Sequence, residues 1–484
     1  MGQKLRPYLY YDHAVSVCAE CLRRVEASIL IKGERVYLEK WCPEHGRARV
    51  LIADDAAYYR MARERFIKPP ELPQRFNTER RWGCPYDCGL CPEHMQHSCL
   101  TILEVTDRCN LSCPVCYASS GPHREETRDL ATIEKMLDAI VANEVEPDVV
   151  QISGGEPTLH PDFFRILDAA KARPIRHLMV NTNGLRIARE PGFAERLASY
   201  APGFEIYLQF DSFERDALMA LRGADLRLVR QQAIENLNRV GLSTTLVMVV
   251  ADGINDHEIG RVVEFAAAQP CVRGVTLQPI QFAGRTEGVQ AAKRLTLTGV
   301  RDRLLAQTPL FVPDDVIPVP CNPDALAMAY GIRTASGLQP LTRWLPADAL
   351  LAGPRSTIVF ENDLQLKEQV FRLFSTNHSP ESQASCLSSL LCCLPEVQAP
   401  PRLDYSSVFR VLVMAFMDAV NFDVRAMKKS CVHIVQPDGR VIPFEAFNLL
   451  YRDRTDVLEQ RRAEFSAAHG ERVIPIRSQA ETAP

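Results

Sequence analysis

Between Thr101 and Pro279 strand-like and helix-like patterns alternate, and no other property of the chain narrows its fold so far. The strand-like runs are Thr101 to Thr106, Asp148 to Ser153, His177 to Thr182, Glu205 to Asp211, Thr244 to Val250 and Gly274 to Pro279. Between them lie helical patterns at Thr132 to Ala142, Phe163 to Ala172, Phe193 to Tyr200, Leu226 to Val240 and Asp256 to Ala268. Near-continuous apolar runs suit strands covered on both faces, and helical crossovers make such strands parallel. The pattern predicts an α/β fold, either an open doubly wound sheet or, as favoured here, a partial (β/α)6 barrel of TIM type. In barrels of this kind the chemistry gathers at the carboxyl ends of the strands.

Two such ends carry unusual residues. The first strand runs into Thr106-Asp-Arg-Cys-Asn-Leu-Ser-Cys-Pro-Val-Cys-Tyr117, which places Cys109, Cys113 and Cys116 in one loop. Spacings of four and three would also suit the buried stripe of a helix, but Pro114 would break that helix. A four-iron cluster normally takes four thiolates, so three leave one iron open to a small molecule. The second strand ends in Gly154-Gly155-Glu156-Pro157, where missing side chains let a ligand approach the backbone. Asn181 and Asn183 after the third strand, and Gln209 and Asp211 after the fourth, offer hydrogen bonds to a ribose or substrate, or else cap turns.

Ten of the 16 cysteines fall between Cys18 and Cys116. Clustering at ligand spacings points to metals in a reducing, cytoplasmic setting rather than to disulfides. Cys18, Cys21, Cys42 and His45 form two knuckles around a hairpin that turns at Lys32-Gly33, a closed set for mononuclear zinc or iron. A second loop, Cys84, Cys88 and Cys91, repeats the three-cysteine spacing and is followed by His94, His97 and Cys99. With Cys99 as fourth thiolate, this loop is expected to close an auxiliary four-iron cluster, zinc being the alternative.

The domain expectation is a zinc-ribbon or rubredoxin-like module over 1–80, an auxiliary cluster loop over 81–100, the barrel over 101–300 and a mixed α+β carboxyl-terminal region over 301–484. Within the last, Thr376 to Leu403 reads as a Ser/Pro-rich linker carrying Cys386, Cys392 and Cys393. Val432 to Gln436 and Arg440 to Phe444 flank Pro437-Asp438-Gly439 as a β-hairpin, and the final fifteen or so residues read as frayed. A net charge of −4 with no sustained basic run argues against nucleic acid, and no apolar stretch approaches a membrane span.

On Cys109, Cys113, Cys116 and the Gly-Gly-Glu-Pro strand end, residues 100–290 resemble the radical S-adenosylmethionine (SAM) superfamily. With the 83–116 run, the Cys18/Cys21/Cys42/His45 module and a tail at 421–448, the chain is similar to class D radical SAM methyltransferases and archaeal tetraether lipid synthase. The resemblance implies that the trio holds a 4Fe-4S cluster whose open iron is chelated by SAM. It also implies that Gly154, Gly155 and Glu156, with Pro157 beside them, contact the SAM amino group. A reduced cluster fed by ferredoxin or flavodoxin would then cleave SAM to a 5′-deoxyadenosyl radical that takes hydrogen from substrate. One departure concerns the tail, where relatives often carry cysteines and this chain has Ser430 and Glu445. Cys321 and Cys431 alone are too few for a second auxiliary cluster, which is not expected.

The expected activity is methyl or methylene transfer, or carbon–carbon coupling, on an unactivated carbon of a pterin, lipid or isoprenoid-like molecule. The main alternative is a peptide-modifying maturase, although such enzymes usually concentrate extra cysteines in a carboxyl-terminal module. A non-catalytic iron-sulfur carrier is a further alternative, but it would saturate each cluster with protein ligands and need no Gly-Gly-Glu-Pro strand end.

Overall fold

The computed structural model describes residues 5–66, 70–334, 337–340, 342 and 408–470. The expected linker with Cys386, Cys392 and Cys393, and the final residues from 471, lie outside the described residues. Four antiparallel strands open the chain in the order β1 (Leu9–Val17), β2 (Arg24–Lys32), β3 (Arg35–Cys42) and β4 (Gly46–Ala53). Gly33 and Gly46 make the turns with φ of +60° and +74°, a region that costs an ordinary side chain strain. Alternation on β2 and β3 buries Ala27, Ile29, Val36 and Leu38 in a small core of their own.

The predicted barrel strands are present as β5 (Leu100–Thr106), β7 (Val149–Gly154), β8 (His177–Thr182), β9 (Phe204–Gln209), β10 (Thr244–Val250) and β11 (Val272–Pro279), all parallel. A two-residue strand, β6 (Val115–Cys116), lies inside the cysteine loop. The fourth strand stops before Asp211, which the sequence pattern includes, because Asp211 takes a left-handed φ of +66°. Crossover helices are amphipathic: on Phe163–Lys171, Phe163, Ile166, Leu167 and Ala170 are buried at helical spacing. Each large apolar side chain so buried stabilises the fold by about 1.5–3 kcal/mol.

The sheet extends past both edges of the barrel. After the short strands β12 (Arg285–Thr286) and β13 (Ile317–Pro318) come β14 (Leu326–Thr334) and β15 (Gly337–Pro340), then β16 (Val408–Met414), β17 (Val432–Val435) and β18 (Val441–Pro443). β16 adds a parallel strand beside β11 and pairs antiparallel with β14, while β17 pairs parallel with β5. β17 and β18 form the predicted hairpin. Gly274 makes the β16 pairing feasible, since a Cβ there would sit 2.5 Å from the Arg410 carbonyl. Arg410 then reaches Glu205 across the sheet at 3.1 Å, with His177 3.2 Å away on the same carboxylate.

Period-two alternation sorts the barrel strands into two faces. Outward residues such as Ile152, Val180, Leu208 and Met248 join the helices in the main core. Inward residues Val149, Met179, Tyr207, Val247 and Leu412 belong to a second core. Two residues further toward the carboxyl ends, the inward positions of β7, β8 and β9 turn polar, while β10 and β16 present Val249 and Met414.

Candidate active site and metal centres

That polar layer is the floor of the principal cavity. Gln151, Asn181, Gln209 and Gln278, from β7, β8, β9 and β11, line it together with Cys109, Cys113 and Cys116. Asn181 donates to Ser153 Oγ (3.2 Å) and accepts from Gln209 Nε2 (2.8 Å). Gln209 Oε1 in turn accepts from Arg222 Nη2 (2.7 Å), and Arg222 grips buried Asp211 at 2.6 and 2.7 Å. Asp211 is therefore an anchor for Arg222 behind the cavity rather than part of its lining.

Arg222 lies beside Cys113, whose thiol burial pushes up while this cation pulls it down. Cys109 is pushed up to about 12, chiefly by burial. Arg230, also in the lining, is buried and has Nε and Nη2 without hydrogen-bond partners among the described residues. Its Nη1 donates to the Asn183 carbonyl. Neither arginine carries a sequence signature of its role; both sit on crossover helices among ordinary surface arginines, and only the packing separates them.

The Gly-Gly-Glu-Pro segment works differently from the sequence expectation. A Cβ at Gly155 would lie 2.3 Å from the Arg108 carbonyl, and one at Gly154 would lie 2.2 Å from that of Thr106. Absent side chains therefore let the end of β7 press on the root of the cysteine loop, with Gly155 N–H donating to Thr106 O (2.7 Å) and Glu156 N–H to Arg108 O (2.9 Å). Both glycines also line the cavity. The Glu156 carboxylate is buried and accepts from Thr158 Oγ1 (2.6 Å), Thr158 N–H (3.2 Å), Thr182 Oγ1 (2.8 Å) and Asn183 N–H (2.8 Å). It is thus fully engaged within the protein, and Pro157 starts a short 3-10 helix outside the lining. Asn183 passes the constraint on by donating to Asn110 Oδ1 (2.7 Å), next to Cys109.

The cysteine loop is braced from the far side by Arg285, which donates to the Cys113 carbonyl (2.5 Å) and the Ser120 carbonyl (2.8 Å), and by β12 pairing with β6. Among the described residues, the donor sets with all ligand atoms within 4.8 Å do not include Cys109, Cys113 and Cys116. Such spread suits a cluster that places each thiolate on a different iron rather than one shared ion. Among the described residues no further Cys or His lines the cavity, so these residues fit a four-iron cluster with one open position. Tyr117, Phe416 and Phe444 make the opposite wall, Tyr117 and Phe416 lying 5.0 and 4.1 Å from the Phe444 ring.

In the amino-terminal module Cys18, Cys21, Cys42 and His45 do converge within 4.8 Å. Cys21 and Cys42 sulfurs are 3.9 Å apart, and His45 Nδ1 is 3.5 Å from both Cys18 and Cys42. Tetrahedral Zn–S bonds of about 2.3 Å separate sulfurs by about 3.8 Å, so the set fits one such ion.

The auxiliary loop requires a correction. Cys84, Cys88 and Cys91 are buried together, but Cys99 lies within 4.8 Å of Cys321 and Cys431 instead. Its sequence proximity to Cys91 is misleading because the chain between them turns away to start β5. The Cys88 sulfur lies 3.9 Å from Met427 Sδ; burial chiefly pushes its thiol up, with Cys84, Cys91, Asp87 and Glu445 adding to the shift, and burial raises the Glu445 carboxyl to about 7. Ser430 Oγ donates to Glu445 at 2.8 Å.

Comparison with known proteins agrees with this geometry. Residues 103–266 match the family model for the radical SAM superfamily, and residues 10–54 match that of the HMPTM N-terminal zinc ribbon domain. The 7,8-dihydro-6-hydroxymethylpterin dimethyltransferase of Methanocaldococcus jannaschii is 30% identical, covering 91% of this chain and 94% of that protein. A mycofactocin maturase of Mycobacterium ulcerans is 32% identical over 35% of this chain and 43% of its own length. Among solved structures, Streptococcus suis SuiB overlaps weakly, at a TM-score of 0.36 and 19% identity over 43% of this chain and 45% of that one.

Proposed function

The chain belongs to the radical SAM superfamily, and we propose that it functionalises an unactivated carbon on a reduced pterin or closely similar fused heterocycle, in a methyltransferase-like reaction. Cys109, Cys113 and Cys116 would hold a four-iron cluster, which together with bound SAM would supply one-electron chemistry able to remove hydrogen from such a carbon.

The protein's own residues set where this happens. Arg222, neutralised in part by Asp211, offsets thiolate charge at Cys113. Arg230, a buried cation in the cavity lining whose Nη2 lies 3.9 Å from Asp211 Oδ2, is assigned the SAM carboxylate. Gly154 and Gly155 bring backbone to the same corner, and Asn183 fixes the turn that carries it.

The observation that carries the substrate reading is the set of four carboxamides, Gln151, Asn181, Gln209 and Gln278, that four barrel strands contribute to the cavity lining. Carboxamides present both donors and acceptors, which suits the alternating edges of a pterin ring, and the aromatic wall of Tyr117, Phe416 and Phe444 suits its faces. The M. jannaschii relative is named for a dihydropterin. For the auxiliary loop we assign Glu445 as the fourth donor beside Cys84, Cys88 and Cys91. A one-electron reductant of the ferredoxin or flavodoxin class is the implied partner.

The test offers anaerobically reconstituted protein, with SAM and reductant, a 7,8-dihydropterin, an isoprenoid alcohol and a short peptide in turn. 5′-Deoxyadenosine above the substrate-free level is expected with the pterin alone. Stimulation by the peptide alone would transfer the chain to the maturase reading.

A further inference from the structure

We propose that Cys99, Cys321, Cys431 and His97 form a second closed mononuclear zinc site, at the opposite end of the barrel from the catalytic loop. The three sulfurs all lie within 4.8 Å of one another, with Cys321 and Cys431 4.0 Å apart. His97 Nε2 is 3.5 Å from Cys99 Sγ. The ribbon site has a matching sulfur spacing of 3.9 Å and the same 3.5 Å from one sulfur to imidazole, but its histidine lies within 4.8 Å of all three sulfurs, whereas His97 approaches the Cys99 corner of its set. Neither iron-cluster loop is drawn in this way, so the spacing separates single-ion sites from cluster sites within one protein.

Donor chemistry points the same way. Three thiolates and an imidazole are a closed zinc set, and a cubane does not fit between sulfurs at 4.0 Å. All three cysteines are at most 3% exposed, where thiolate charge needs a cation. On its far side His97 Nδ1 meets the Glu144 carboxylate at 3.2 Å, the kind of outer-shell partner that fixes a ligating histidine's tautomer, while Nε2 lies between Cys99 Sγ at 3.5 Å and Glu71 Oε2 at 3.3 Å.

Placement gives the site its purpose. Cys99 directly precedes β5, Cys431 directly precedes β17, and Cys321 follows β13. The Leu100 N–H to Cys431 carbonyl bond (3.1 Å) already joins the first two. The ion thus staples the added sheet of the carboxyl-terminal region to the amino end of the first barrel strand, the end where barrels place stability rather than catalysis. About 20 Å of strand separates it from the catalytic loop, taking about 3.3 Å per residue along β5.

The full chain, purified anaerobically, should contain two zinc ions by elemental analysis, one in a Cys42→Ser variant and none in Cys42→Ser/Cys321→Ser. X-ray absorption at the zinc edge of Cys42→Ser should show three sulfurs and one nitrogen, the nitrogen disappearing when His97→Ala is added. A wild-type chain with fewer than two zinc ions overturns the proposal whether or not the variants fold. Loss of a four-iron absorption band instead of zinc on Cys321→Ser overturns it too, as does an unchanged nitrogen signal in the His97 variant.

Discussion

Replacing Glu156 with Gln tests how the conserved-looking strand end acts, because the two shapes are nearly identical and only the acceptor pattern changes. The carboxylate takes Asn183 N–H on one oxygen and Thr158 N–H with two threonine hydroxyls on the other. A carboxamide has one oxygen. Whichever way it is placed, its NH2 group faces a backbone N–H, of Asn183 or of Thr158, and the threonine hydroxyls alone can rotate to adapt. Losing a bond to a charged acceptor and leaving a buried N–H unmade costs roughly 2–4 kcal/mol. Burial disfavours the Glu156 charge and raises its carboxyl pKa, so removing that charge returns part of the cost. A net loss near ~2 kcal/mol falls on Asn183, which also orients Asn110 and Arg230. If it is expressed in ligand binding, SAM affinity drops roughly 30-fold. Anaerobic calorimetric titration of Glu156→Gln with SAM, beside iron analysis, measures this. Wild-type affinity together with a wild-type melting curve would refute the reasoning. Complete loss of iron would also refute it, by showing that Glu156 holds the cluster loop itself.

Other perturbations separate the centres. Cys113→Ala should abolish SAM cleavage, whereas Cys88→Ala should lose iron yet keep some uncoupled cleavage; identical behaviour would contradict the division between the two loops. Gly155→Ala would force a Cβ against the Arg108 carbonyl, an overpacking cost of about 1–3 kcal/mol, and should lower cluster occupancy more than zinc content. Arg410→Met should cost about 3–5 kcal/mol at neutral pH, read as a shift in urea midpoint, because it strands a buried carboxylate. Burial alone would raise the Glu205 pKa, but Arg410, His177 and Thr245 hold it well below the carboxylate range. A folded-state pKa below the unfolded one gives stability that is full above about 4.3 and is lost as pH falls through the folded value. The wild type should therefore lose more stability in acid than Arg410→Met does; equal losses would count against this network.

The barrel was readable because its strands are apolar runs closed by turn residues, and the catalytic cysteines because spacing and Pro114 leave few alternatives. What escaped depends on contacts between distant segments. Val408–Met414 is an apolar run broken by Arg410, too short for periodicity to assign to strand or helix, and its place in the sheet depends on β14, Gly274 and Glu205, all distant in sequence. Gln151 and Gln278 had a usable signal, an amide three residues and one residue before the end of a largely apolar strand, as Asn181 lies one residue before the end of its strand and Gln209 at the end of its own. Cys99 had none, since its neighbours Cys321 and Cys431 are brought to it by the tertiary fold alone.

The account stands or falls on where the abstracted hydrogen comes from. Reconstituted protein is incubated with SAM, reductant and a dihydropterin deuterated at its ring and side-chain carbons, and 5′-deoxyadenosine is examined by mass spectrometry. The account predicts deuterium in 5′-deoxyadenosine, with the signal lost in Cys113→Ala. Unlabelled 5′-deoxyadenosine beside an unchanged pterin would contradict it.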